Sequence, residues 1–449
     1  MNARTVPPTG PAPRLTTPPI RRHKLANGLE ILVASRHNLP VVDWQLVMRG
    51  GAVLDPASRA GTASMVAEMI DEGANGRSAL ELSSAIEQLG VELEARAVWD
   101  GSFIYLHTLT PHMLPALDLF ADVALRPDFP DSELERKRTE RLNALAQERD
   151  EPRLVAHKTL AAAIHGDTHP YGRPINGKPD SIAALTREEL LAHYRRVAGP
   201  AGAHLVVAGA IEFEDAVAHA ERLFGGWRQD VSSAITLTPP PKRERTIFIV
   251  DKPGAAQSEI RIGHQAPPRS TEDYFALLVL NTILGGSFKS RLNMTLREEK
   301  GYTYGASTGF GFRRHGGVFS GGAAVFTDVT DDAVRLTFKE ITRLRDHGVS
   351  PDELDRARNY IALGFARNFE AVSDLAMHLA DVALFDLPDD YLEQYPLRVG
   401  AVTLEQVNEA AVRHLDPAHL AIVVVGDRER VLGPLRALDI APIELQDIR

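Results

Sequence analysis

The chain repeats itself at the scale of a whole domain. Ile31-Leu-Val-Ala-Ser-Arg36 and Trp44-Gln-Leu-Val-Met48 return as Ile247-Phe-Ile-Val-Asp-Lys252 and Ile260-Arg-Ile-Gly-His264, each shifted by 216 positions (247 − 31 and 260 − 44). Glu133-Leu-Glu-Arg-Lys-Arg138 returns as Glu353-Leu-Asp-Arg-Ala-Arg358 at an offset of 220, and Thr186-Arg-Glu-Glu-Leu190 as Thr403-Leu-Glu-Gln-Val407 at 217. A repeat of this length cannot be a solenoid unit; it is a duplicated domain. Each half reads in the same order: paired strands, a helical stretch, more strands, helices opening on capping boxes, and a β-rich run ending in glycine. Strands in pairs mixed with helices predict an α+β fold of two homologous domains, each a mostly antiparallel sheet packed with helices.

The boundary is set by Thr238-Pro-Pro-Pro241 and the charges after it, because proline continues neither a helix nor a central strand. The expected organisation is a first domain over 23–230, a linker over 231–245 and a second domain over 246–449. Met1 to Arg22 hold six prolines and no apolar core, and read as a flexible tail rather than a signal peptide.

Composition narrows the chemistry. There is no cysteine among 449 residues, so disulfides, thiolate zinc, iron–sulfur clusters and a cysteine nucleophile are all excluded, and any metal must sit on His, Asp or Glu. Fifty Lys and Arg against 60 Asp and Glu give a net charge of −10, with no basic tract to neutralise a phosphate backbone, so nucleic acid is not an expected partner. The longest apolar runs, such as Leu205 to Ile211, are far short of the ~20 residues that cross a bilayer, so no membrane insertion is expected. A soluble protein of the cytoplasm or periplasm is consistent with all of this.

Two local patterns invite chemistry. Gly305-Ala-Ser-Thr-Gly309 fits G-x-S-x-G, which would make Ser307 a nucleophile if it sat on a strand-to-helix turn. The alternating, glycine-bearing Phe310–Phe319 stretch predicts more strand instead. His165 and His169 have a metal-like spacing only on one helix face, and Gly166 and Pro170 predict exposed loop histidines. No H-x-x-E-H or H-E-x-x-H string occurs in the chain.

Gly61-Thr-Ala-Ser-Met-Val-Ala-Glu-Met69, with Asp71-Glu-Gly-Ala-Asn75 after it, resembles the active-site region of the pitrilysin and mitochondrial processing peptidase family of zinc peptidases. In that family the pattern is Gly-x-Ala-His-x-x-Glu-His-Met. Laid on it, Ser64 takes the place of the first zinc-binding His, Ala67 that of the glutamate base and Glu68 that of the second His. Glu133 to Leu145 resembles the helix that bears the third ligand, a Glu, with Ala144 at its place. Catalytic zinc needs three protein ligands and its water needs a base, so the resemblance implies that this chain binds no zinc of its own.

The second half departs in the opposite sense. Leu292-Asn-Met-Thr-Leu-Arg-Glu-Glu-Lys-Gly-Tyr-Thr-Tyr-Gly305 is similar to the family's Arg and Tyr motif, with Arg297 and Tyr304 in place. In the family these two side chains reach across a closed chamber to a zinc site on the facing half or subunit. A guanidinium can hold peptide carbonyls, and a phenol can donate to the oxyanion formed as water attacks. Spacing alone also allows a surface Arg on a helix end and a packed strand Tyr. Where the family shows Asn-Ala after the second helix, this chain has Glu94-Ala95.

The resemblance therefore implies a non-catalytic, substrate-binding subunit. It would pair with an H-x-x-E-H zinc subunit as a heterodimeric endopeptidase, contributing Arg297 and Tyr304 to peptide and transition-state binding. A purely structural subunit, silent at Arg297 and Tyr304, is the alternative, and a serine hydrolase using Ser307 a third.

Overall fold

The computed structural model describes residues 17–229 and 235–448. Two six-stranded sheets carry the molecule. The first comprises β1 (Arg21–Lys24), β2 (Glu30–Ser35), β3 (Val41–Arg49), β4 (Glu92–Ala97), β5 (Gly101–Leu109) and β6 (Ala203–Gly209), in the spatial order β1-β2-β6-β3-β5-β4. The second comprises β7 (Thr246–Asp251), β8 (Gln257–Ala266), β9 (Ser307–Phe312), β10 (Gly317–Phe326), β11 (Ala421–Gly426) and β12 (Ile443–Gln446), in the order β9-β10-β8-β11-β7-β12. Only β2–β6 in the first sheet and β11–β7 and β7–β12 in the second run parallel; all other neighbours are antiparallel. The α+β expectation of two mostly antiparallel, helix-packed sheets is met.

The repeat offset reappears as strand register. Ile31 lies opposite Leu205 and Trp44 opposite Val207, while Ile247 lies opposite Ile422 and Ile260 opposite Val424. Five strands of each sheet are thus equivalent, and the halves differ at one edge. There the first sheet takes β1 from the segment before it, antiparallel, and the second takes β12 from the end of the chain, parallel. Arg21 and Arg22, expected in the tail, belong to β1. Residues 1–16 of that tail and 230–234 lie outside the described residues; 235–245 have no regular secondary structure.

Why β2 and β6 read as unbroken apolar runs is visible in what covers them. Ile31 and Val33 point into the first half's own helices, whereas Leu32 and Ala34 pack on Leu375 and Leu379 of the helix Val372–Leu384, which comes from the second half. The arrangement is reciprocated. Ile247 and Ile249 face their own domain, while Phe248 and Val250 meet Val155, Leu160 and Ile164 of the first-half helix Pro152–His165. Each half therefore lends one helix to the other's sheet, 220 residues apart in sequence (372 − 152). Fully apolar strands follow because neither face is left to water.

The exchange is fastened by polar contacts. Tyr171 Oη donates to Asp100 Oδ1 at 2.7 Å, and the Arg314 amide, from the second half, donates to Asp100 Oδ2 at 2.9 Å. The Arg313 guanidinium lies 3.6 Å over the Trp99 ring, and Lys252 Nζ donates to the carbonyl of Asp150 at 2.6 Å.

Candidate functional site

Helix Thr62–Met69 opens on Gly61, whose φ of 99° and whose tight fit against Ile182 and Gly177 leave no room for a Cβ. Its free amides are met by buried Asp55, which accepts from the amides of Gly61 and Ala63, both at 2.9 Å. Burial outweighs those donors and pushes the Asp55 carboxyl up to about 7. Beside it, burial pushes His193 down to about 4.

On this helix Ser64 and Glu68 project from successive turns toward the helix Asp131–Glu148. The group that meets them is Arg141. Its guanidinium donates to Ser64 Oγ at 2.8 Å, to the Glu68 carboxylate, and to the carbonyl of Asn176 at 2.9 Å. Arg141 is only 7% exposed. Ser64 Oγ in turn donates to the Gly61 carbonyl at 3.2 Å. Ala144, one turn further along, is exposed and brings a methyl group with no polar atom; Ala67 is half-buried and equally inert.

The two helices that the family resemblance assigns to the metal are thus joined by an organic cation. Ser64, Glu68 and Arg141 do not fit Zn²⁺. One carboxylate and one hydroxyl fall short of the three ligands required, and the fixed positive charge of Arg141 opposes a second cation in the same place. Among the described residues no group of three or more His, Asp or Glu is arranged to hold a metal ion. Arg141 is missed by motif reasoning, although a signal exists. The buried positions of its helix are Leu134, Arg141 and Leu145, so a charge stands in an otherwise apolar stripe.

Arg297 and Tyr304 lie on either side of one compact turn. Asn293–Glu299 winds as a π-helix, a rare form that recurs at functional positions. Asn293 anchors both flanks: its Nδ2 donates to the Ser287 carbonyl at 3.1 Å and its Oδ1 accepts from the Ala306 amide at 2.9 Å. The Arg297 guanidinium lies 4.5 Å over the ring of Phe288 and 3.5 Å from Glu298. Tyr304 is 90% exposed and its hydroxyl has no hydrogen-bond partner among the described residues. It is therefore not a packed strand tyrosine.

One sequence reading holds and another changes. Ser307 begins strand β9 rather than a strand-to-helix turn, so the elbow context is absent. His165 is not an exposed loop residue. It closes the helix Pro152–His165, 5% exposed, stacked on His169 with ring centroids 5.5 Å apart, and both of its nitrogens are unpartnered. Burial pushes it down to about 3. His169 does lie in the following loop, its Nδ1 accepting from the Tyr171 amide at 3.2 Å. Glu94 sits on the edge strand β4.

Residues 30–177 match the family described as Insulinase (Peptidase family M16), and 184–361 match the Peptidase M16 inactive domain. An uncharacterized zinc protease of Mycobacterium leprae is 27% identical over 395 residues, covering 87% of this chain and 86% of the relative. Another from Mycobacterium tuberculosis is 27% identical over 427 residues, covering 93% and 95%. Among solved structures, a peptidase M16 inactive domain from Pseudomonas fluorescens superposes with a TM-score of 0.86 at 25% identity, covering 91% of this chain and 98% of that one. A protease from Helicobacter pylori superposes at 0.82 with 19% identity, covering 91% and 99%, and shares the fold. No described helix is long and apolar enough to cross a membrane.

Proposed function

This chain belongs to peptidase family M16, and on that premise we propose that it is the non-catalytic, substrate-binding subunit of a heterodimeric zinc endopeptidase. The partner would carry H-x-x-E-H and the zinc; this chain would bind none. The single observation that supports this most is the Arg141 guanidinium bound to Ser64 and Glu68 between the two helices of the lost metal site. That cation occupies the space a zinc ion would need, which supports hydrolysis at a site on another chain.

Arg297 and Tyr304 supply what such a partner lacks. The exposed Tyr304 hydroxyl is free to donate to a carbonyl oxygen as negative charge develops on it, and Arg297 to hold peptide carbonyls alongside. A purely structural subunit has no need of a solvent-facing tyrosine in a turn pinned on both sides by Asn293.

The test is purification of the chain alone and with whatever its host supplies. The expected result is a lone chain without zinc or peptidase activity, and a complex with a second ~50 kDa M16 chain that contains zinc and cleaves an unfolded peptide until a chelator is added. Zinc-dependent cleavage by the lone chain would refute the proposal.

A further inference from the structure

Because the chain is duplicated, one half serves as an internal control for the other, and the comparison singles out a cleft in the second. In the first half Arg136 is fully engaged, bonding Glu72, Glu133 at 2.7 Å and Glu140 at 2.9 Å. Its equivalent 220 residues on is Arg356 (136 + 220), which has no ion pair among the described residues. The reason is substitution of its partners. Tyr360 stands where Glu140 does (140 + 220), and Glu353 (133 + 220) is taken by Arg291, which bonds both its oxygens at 2.7 and 2.9 Å. That bidentate grip, with bonds from Ser350, holds the Glu353 carboxyl down at about 2, and Arg356 makes no bond to it.

Arg356 instead faces a cleft of about 710 Å³ between the helix Pro351–Phe365 and the loop after helix Tyr274–Leu284. Lys289 and Arg367 also line it, and neither forms an ion pair among the described residues. Two aromatic side chains are exposed within it, Phe288 at 56% and Tyr360 at 57%. The one carboxylate in its lining, Glu353, is held by Arg291, so three cations without ion pairs around two open aromatic faces leave the cleft locally positive on a chain of net charge −10.

The geometry points to a binding site for an acidic peptide segment, with a carboxylate among Lys289, Arg356 and Arg367 and an apolar side chain against Phe288 and Tyr360. From Arg356 to Arg367 the helix and the turn after it run ~16 Å, the span of about five extended residues, so the cleft suits a segment rather than a lone anion. The occupant is a peptide because the cleft adjoins the proposed substrate motif: Phe288, which lines it, carries Arg297 on its ring. The inference rests in that respect on the peptide-binding reading above.

It is tested on the full chain without any partner, by fluorescence anisotropy of a labelled octapeptide containing two Glu and one Phe. Gln-for-Glu and Lys-for-Glu versions serve as comparisons. The Glu peptide is expected to bind at least ~10-fold tighter than either, more weakly as salt rises. Arg356→Gln with Arg367→Gln should abolish that preference while the melting temperature stays unchanged, since both side chains are exposed. Equal affinity for the three peptides, an unaffected double variant, or displacement by millimolar inorganic phosphate would each overturn the assignment. Failure of the subunit reading registers elsewhere, as a missing zinc partner, and leaves this measurement unaltered.

Discussion

Arg141 decides what the first half can do. If its guanidinium is the obstacle to metal, rebuilding the ligands is not enough. Ser64→His, Ala67→Glu, Glu68→His and Ala144→Glu together should bind about one zinc per chain by calorimetry only when Arg141→Ala is added, because a fixed cation otherwise shares the site. Equal zinc affinity with and without Arg141 would contradict this. Alone, Arg141→Ala leaves Ser64 Oγ, the Asn176 carbonyl and Glu68 without their donor, and should cost about 1–3 kcal/mol in chemical denaturation. His165 makes the pH-dependent counterpart. With a folded value of about 3 against ~6.5 when unfolded, it favours folding above pH ~6.5, and that contribution is lost as acid protonates the unfolded chain first. Relative to His165→Phe, the wild type should lose stability between pH 7 and pH 5; a constant gap in urea midpoints would show that this ring titrates normally.

At the scale of elements, the duplication makes paired predictions. Thr186 and Thr403 cap equivalent helices, each accepting from the amide three residues on, with Glu189 and Gln406 returning the bond. Thr186→Ala and Thr403→Ala should each cost ~0.5–2 kcal/mol and by similar amounts; a large difference between them would mean that the halves do not share their helix energetics. These helices were legible because a capping box is local. So were the strands, and β8 fell at the offset the repeat required. The helix exchange was not legible. Nothing within Pro152–His165 or Val372–Leu384 tells which sheet an apolar face will choose, since that is decided by chain path rather than by pattern. β1 escaped for another reason: its four residues are all exposed, so it carries no apolar alternation. Of the candidate site, the positions Ser64, Ala67, Glu68 and Ala144 and the Arg297–Tyr304 pair are proposals that motifs supply. The role of Arg141 could not be read from them, because a guanidinium reaches its partners from a turn away.

As a whole the molecule is two like halves, each lending a helix to the other, with different fates for equivalent positions. The first half closes its metal site with an internal cation; the second keeps an open turn bearing a solvent-facing tyrosine and an unneutralised arginine in the cleft beside it. On the proposed reading, this division suits one member of a pair. The account stands most directly on the turnover number of the complex of this chain with the zinc-bearing partner proposed for it, compared between wild type and Tyr304→Phe. The phenol is predicted to donate to the developing oxyanion, so kcat should fall by about 10²–10³ with zinc content and assembly unchanged. A variant complex that turns over at the wild-type rate would contradict the claim and leave this chain a structural partner only.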